Sequence, residues 1–303
     1  MLTITTPTDL QHWALAQRAA GRRIGCVPTM GCLHEGHLSL VTEAQARTDD
    51  VVLTLFVNPT QFGPAEDFSR YPRTVARDLD LCRVAGVAAV FLPQPADMYA
   101  PDHSVYVVEE QLGSGLCGAA RPGHFRGVCT VVAKLFNLAL PHVAVFGQKD
   151  YQQAAIIRRM VRDLNFPVEV VVAPILREPD GLAMSSRNRY LSADERVRAL
   201  GLSRALQQAQ AACAAGETDT AALCQRLRDT LAGTYGLRVD YVSAVDGNTL
   251  ETAPGLRPGV VIAIAAFAGN TRLIDNTVLR DSNPIDSLDA SRSPSAASAD
   301  DTP

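Results

Sequence analysis

"VPTMGCLHEGHLSLV", residues 27–41, is the stretch that decides the fold. An apolar run enters it from residue 23, and beyond residue 37 apolar residues recur at helical spacing, so a strand hands over to a helix within a few residues. The loop between them carries Gly31, Gly36, His34 and His37. In an open α/β sheet, ligands bind at the carboxyl ends of the strands. A helix N-terminus in that place offers free N–H groups and a partial positive charge, which suits phosphate. Two imidazoles there can donate to a phosphate or to the oxygen bridging two phosphates. The plainer reading is a pair of capping or packing histidines, but the His-x-Gly-His arrangement directly after a first strand favours a ligand. Zinc is a poorer fit, because H-E-x-x-H needs the second histidine one residue later, and no protein metal site is expected.

Working outward, "RIGCV" (23–27), "VVLTLFV" (51–57), "AAVFL" (88–92), "VAVFG" (143–147) and "VEVVVA" (168–173) are short, nearly continuous and valine-rich. Strands covered on both faces have this texture. Residues 37–48, 74–86, 124–140 and 150–164 have helical spacing. The alternation predicts a doubly wound parallel sheet. After about residue 176 the pattern changes. A Ser192–Glu195 capping box opens an alanine-rich helix over 192–216, and a second helix follows at about 219–233. Strands are expected at 237–246, 260–268 and 271–279, the last two joined by Gly269-Asn270. The expected organisation is an α/β unit over 1–176, a smaller α+β unit over 177–281, and a tail over 282–303 too poor in apolar residues to order itself.

The chain has 303 residues, 47% hydrophobic and 20% charged, which suits an ordinary globular protein with room for two such units. A net charge of -4 argues against a nucleic-acid surface, and neither a signal peptide nor a membrane span is legible. Seven cysteines without C-x-x-C spacing point to free thiols and a cytoplasmic protein. Of 28 basic residues only Lys134 and Lys149 are lysine, so each marks a place where a compact charge replaces the arginine fork.

Three more segments fall at strand ends. "FVNPTQFGPAEDFSRYPRT" (56–74) carries Asn58, Gln61, Asp67, Tyr71 and Arg73; "FGQKDYQQ" (146–153) carries Lys149; "REPDGLAMSSRNRYLS" (177–192) gathers Ser185, Ser186, Arg187 and Arg189. Together they bring amides, hydroxyls and cations to one helix N-terminus.

"PTMGCLHEGH", "FVNPTQF", "YPRT", "GHFRGVCTVVAKLFN", "FGQKDYQQ" and "DGLAMSSRNRYL" occur in order across about residues 2–280. In this combination the chain resembles the pantothenate synthetase (pantoate–β-alanine ligase) family of the His-x-Gly-His nucleotidyltransferases. The resemblance implies a Rossmann-like nucleotidyltransferase fold and a ligase using ATP, with Mg2+ bound to it. It implies a pantoyl-adenylate intermediate, then amide formation with β-alanine, and a homodimer.

By motif, Met30, Gly31, Cys32, Leu33, His34, Glu35, Gly36 and His37 would line the ATP site, with His34 and His37 on the phosphates and His37 as the acid. Gly147, Gln148, Lys149 and Asp150 would contact the nucleotide, Lys149 at the phosphates and Asp150 at the ribose. Leu176 would touch adenine, and Met184, Ser185, Ser186 and Arg187 would close over the triphosphate. Gln61 and Gln153 would hold pantoate, Gln61 also lying near β-alanine. Asn58, Tyr71 and Asp78 rank behind these.

Two positions depart from the pattern: Gln148 stands where glutamate is usual, and Cys32 where alanine is usual. Three rivals stay open. A nucleotidyltransferase that stops at a dinucleotide or cytidylyl product leaves "NPTQF" unexplained, a tRNA-binding synthetase fragment needs a basic face, and a nucleotide sensor differs by lack of turnover.

Overall fold

The computed structural model describes residues 1–64 and 66–280. The tail expected over 282–303 lies outside them. Six strands form one parallel sheet: β1 (Leu2–Ile4), β2 (Ile24–Thr29), β3 (Asp50–Leu55), β4 (Ala89–Phe91), β5 (Val143–Gly147) and β6 (Glu169–Ala173), in the spatial order β1-β4-β3-β2-β5-β6. The chain winds outward from β2 through β3, then returns to place β5 on β2's other side. The reversal between β2 and β5 is the topological switch point, where such sheets open a crevice.

Helices cover both faces. On one side α1 (Pro7–Ala19), α6 (His124–Ala139) and α7 (Tyr151–Asp163) bury Leu10, Val128, Val132 and Ile156. On the other, α2 (Glu35–Gln45) and α3 (Val75–Val84) bury Leu40, Val41 and Cys82. The short helices α4 (Pro95–Met98) and α5 (Leu116–Ala120) lie between β4 and α6.

The five expected parallel strands are present, 143–147 at its expected bounds and the others with ends one or two residues away. The extended run at 51–57 stops at Leu55, so that Phe56 and Val57 lead into the loop. The expected elements do not include β1, α1 or the short helices α4 and α5. β1 has only three residues, two of them exposed. α1 is capped by Thr6, whose side chain accepts from the Asp9 N–H, with Pro7 in the first turn; that cap is a legible start signal.

The second core belongs to α8 (Ala193–Ala214), α9 (Thr220–Ala232) and an antiparallel sheet of β7 (Leu237–Asp246), β8 (Val260–Ala268) and β9 (Thr271–Val278). Ser192 and Glu195 form the expected capping box, and Gly269-Asn270 makes the two-residue hairpin with Gly269 at φ 57°. Along β8 the side chains alternate. Val260, Ile262, Ile264 and Ala266 face the helices, while Val261, Ala263 and Phe267 face a cleft toward the parallel sheet. Among the described residues no helix is long and apolar enough to cross a membrane.

Candidate active site

At the end of β2 the chain turns sharply through two left-handed residues, Gly31 (φ 84°) and Cys32 (φ 53°). For a cysteine this conformation costs about 1–3 kcal/mol, so the surroundings must hold it. Asp78 does so. Its carboxylate, 1% exposed in the first turn of α3, accepts from Cys32 N–H (2.8 Å), Leu33 N–H (2.9 Å) and the Thr74 hydroxyl (3.0 Å). The turn delivers His34 to the N-cap of α2 in extended conformation and His37 to its first turn. The two rings lie 4.0 Å apart.

His37 Nδ1 accepts the His34 backbone N–H at 3.3 Å. The neutral ring therefore carries its proton on Nε2 and presents a donor. His34 Nδ1 is buried with no protein partner. Burial first, and then the charge of Lys149, pushes His34 down to about 4; burial, His34 and Lys149 hold His37 well below its ordinary value. Both imidazoles are neutral at pH 7. As they stand they act as hydrogen-bonding dipoles, so an acid role for His37 requires that arriving negative charge first raise its pKa.

Gln61 is built differently. The Asn58 amide donates to Gln61 Oε1 (3.0 Å) and to the Gly127 carbonyl (3.1 Å), while its oxygen accepts from Tyr99 (2.8 Å) and Thr60 (2.9 Å). With its oxygen engaged, Gln61 turns its N–H donors toward the cavity, where Nε2 lies 3.3 Å from Met30 Sδ. His124 donates from Nδ1 to the Gln61 carbonyl (2.8 Å) and meets Arg121 through Nε2 (3.0 Å). Arg121 in turn grips Glu66 with two bonds of 2.6 and 2.7 Å. Burial opposes ionisation of Glu66, but the bonds and charge of Arg121 outweigh it and hold the carboxyl low.

The segment after β6 folds back over this floor. Met184 N–H donates to the Leu176 carbonyl (3.0 Å), and the Ser186 hydroxyl to the Cys32 carbonyl (3.1 Å). Arg187 holds Asp67 through Nε (3.0 Å) and a terminal nitrogen (2.8 Å), with its guanidinium 5.7 Å from the Tyr71 ring centre. Beneath lies a cavity of about 220 Å³, lined among others by Met30, His34, Gly36, His37, Gln61, Gly147, Lys149, Asp150, Gln153, Leu176, Met184, Ser185, Ser186 and Arg187. It adjoins a second space of about 860 Å³ under the antiparallel sheet, and Lys149, Asp150, Gln153 and Arg187 border both.

Most of the residues expected from the sequence thus converge on one cavity. Five do not line it. Gly31, Cys32 and Leu33 are buried beneath it, Glu35 faces solvent, and the Gln148 side chain turns toward Asn276. Asp78 also lies below the floor, as the anchor of the turn. Arg121, Glu66 and His124 went unassigned in the sequence. For Arg121 and His124 the signal is the "RPGHFRG" spacing, which puts both at the mouth of a helix; Glu66 has no such signal.

One consequence is measurable without any ligand. Burial, followed by the charge of Arg121, pushes His124 down to about 4, as burial and Lys149 do for His34, from an ordinary 6.5. Between these values the unfolded chain binds more protons than the native one. Stability is therefore full above about pH 6.5 and declines as pH falls toward 4. The melting temperature should fall from pH 7 to pH 5, and fall less in His124→Gln, which keeps a donor and an acceptor but cannot titrate. Equal declines in the two proteins would remove His124 from the cause.

The sequence profile of the pantoate-beta-alanine ligase family matches residues 2–278. A pantothenate synthetase of Anaeromyxobacter dehalogenans is 57% identical over 280 residues, spanning 90% of this chain and 96% of its own. One from Clostridium novyi is 50% identical over 92% of this chain and 99% of its own. Among solved structures, the pantothenate synthetase of Thermus thermophilus superposes with a TM-score of 0.86 at 44% identity, covering 92% of this chain and all of that one. A pantoate-beta-alanine ligase of Francisella tularensis, solved with a β,γ-ATP ligand and β-alanine, does so with 0.77 at 30% identity, over 92% of this chain and 97% of its own. The chain belongs to the pantoate–β-alanine ligase family.

Proposed function

We propose that the chain joins pantoate to β-alanine at the expense of ATP, through a pantoyl-adenylate. Beyond family membership, the observation that carries this reading is the pairing of two neutral imidazoles at a helix N-terminus with the oriented Gln61 amide, all facing one cavity. Gln61 and Gln153 hold pantoate, and Gln61 stays close to the incoming β-alanine. The nucleotide would enter as its magnesium complex, the ion supplying positive charge to the phosphates. Gly147 and Asp150 meet the ribose side, Leu176 the adenine, and Met184 to Arg187 close over the phosphates.

A pantoate carboxylate oxygen then attacks the α-phosphorus. The bond to the bridging oxygen breaks, and pyrophosphate leaves with the electron pair. Its charge is met by Lys149 and by N–H donors from His34, His37 and the first turn of α2. Such catalysis is positioning and charge stabilisation and needs no nucleophilic side chain. The amine of β-alanine next attacks the acyl carbon, AMP departs, and the amide loses its proton to solvent.

The division near residue 176 makes the C-terminal unit a lid over this site. Seven free cysteines suit the reducing cytoplasm, and the resemblance carries the homodimer.

Isotope exchange tests the reading. Labelled pyrophosphate should enter ATP when pantoate and Mg2+ are present and β-alanine is absent; adding β-alanine should release AMP and pantothenate in equal amounts. A sensor shows no exchange, and a tRNA synthetase requires an amino acid in place of pantoate. Release of ADP and phosphate would mean an acyl phosphate and overturn the assignment.

A further inference from the structure

We infer that Asn276, on the C-terminal sheet, positions Lys149, and that Gln148 is its matched partner. This rests on the role proposed above for Lys149. Asn276 is 3% exposed on β9. Its side chain leaves its own sheet and reaches the turn between β5 and α7. There Nδ2 donates to two successive carbonyls, those of Gln148 (3.0 Å) and Lys149 (2.9 Å). Its oxygen accepts from Gln148 Nε2 at 3.3 Å.

The orientation of this amide follows from its neighbours. Two carbonyl oxygens demand the NH2 group, which leaves Oδ1 facing residue 148. Only a donor is compatible with that oxygen, and the glutamine amide is one. A carboxylate at 148 would set acceptor against acceptor in a half-buried place. The Gln148 side chain thus serves the turn and does not line the substrate cavity.

Lys149 needs such an anchor. Among the described residues its ammonium makes one ion pair, a long one of 3.9 Å to Asp150, and the side chain is 20% exposed, so little holds it from the tip. Where it points is set at its root. The preceding residue of β9, Asp275, accepts from Arg177 through two bonds of 2.7 and 3.1 Å. One strand of the second sheet thus ties down both the lysine turn and the base of the segment that closes the site.

The experiment separates the two half-reactions. Lys149 acts on the departing pyrophosphate, so Asn276→Ala should slow pantoate-dependent pyrophosphate exchange about tenfold to a hundredfold, the cost of misplacing a group by an ångström or less. AMP release from supplied pantoyl-adenylate and β-alanine should stay within about twofold, because that step no longer involves pyrophosphate. In a Lys149→Ala background, Asn276→Ala should add almost nothing to the loss of exchange. Asn276→Asp, which keeps the size but sets a carboxylate against the two carbonyls, should show the same split and carries the test if Asn276→Ala folds poorly. Equal losses in both half-reactions would make Asn276 a mere tether between the two units, and unchanged exchange would remove it altogether; either overturns the inference. A wild type without exchange would instead overturn the adenylation reading.

Discussion

His37→Ala should form pantothenate about 10²- to 10³-fold more slowly than the parent, the loss expected for one well-aimed donor to developing negative charge. Three features of the site put the effect in turnover. The ring is neutral, so its donor is present throughout the physiological range. Its tautomer is fixed by the His34 N–H on Nδ1, so no reorientation precedes reaction. It sits in the first turn of α2, where the helix dipole adds to the same field. The fold should persist, because the turn beneath is held by Asp78 and not by the imidazole. Single-turnover measurement of pantoyl-adenylate formation checks this, and a variant within a few-fold of wild type would exclude His37 from the chemistry.

The second large effect is at Gly127, which neither binds nor reacts. A Cβ there would lie 2.3 Å from the Thr60 carbonyl oxygen, 2.5 Å from its carbon and 2.6 Å from Gln61 N. All three are backbone, so no side chain can swing aside. In Gly127→Ala, α6 must back away from the Asn58–Gln61 turn. Overpacking of this kind costs about 1–3 kcal/mol or more, and each kcal/mol lowers the melting temperature of a chain this size by about 2–4 °C. The same retreat stretches the bonds from Asn58 to the Gly127 carbonyl and from His124 to the Gln61 carbonyl, which together aim the Gln61 amide. The KM for pantoate should rise by roughly tenfold, the loss of about one charge-assisted hydrogen bond, while the KM for ATP changes little. Unchanged melting and an unchanged KM for pantoate would show that the contact is slack.

What was legible in the sequence follows from locality. Strands buried on both faces announce themselves as apolar runs, and the His34–His37 loop, Gln61, Lys149 and the serine–arginine segment each carry their chemistry in a short quotable motif. Residues that act through backbone atoms far away in sequence do not. Asp78 looks like a helix-start acid, yet it holds a turn 46 positions back. Gly127 looks like a poor choice for a helix interior until Thr60 is placed against it. Asn276, in the second half of β9, resembles any polar strand residue. Nothing local says that its amide leaves the sheet.

Arg187 and Asp67 carry a last implication. Burial resists ionisation of Asp67, but the arginine's bonds and charge outweigh it, so the carboxylate is a firm occupant of the fork. On the proposed reading, a triphosphate meets an arginine already engaged and exchanges one anion for another. The swap works in both directions. When pyrophosphate becomes the leaving product, Asp67 stands beside the fork to reclaim it. On that reading the arginine's grip on the product comes with its own competitor, which favours return of an empty site for the next turnover.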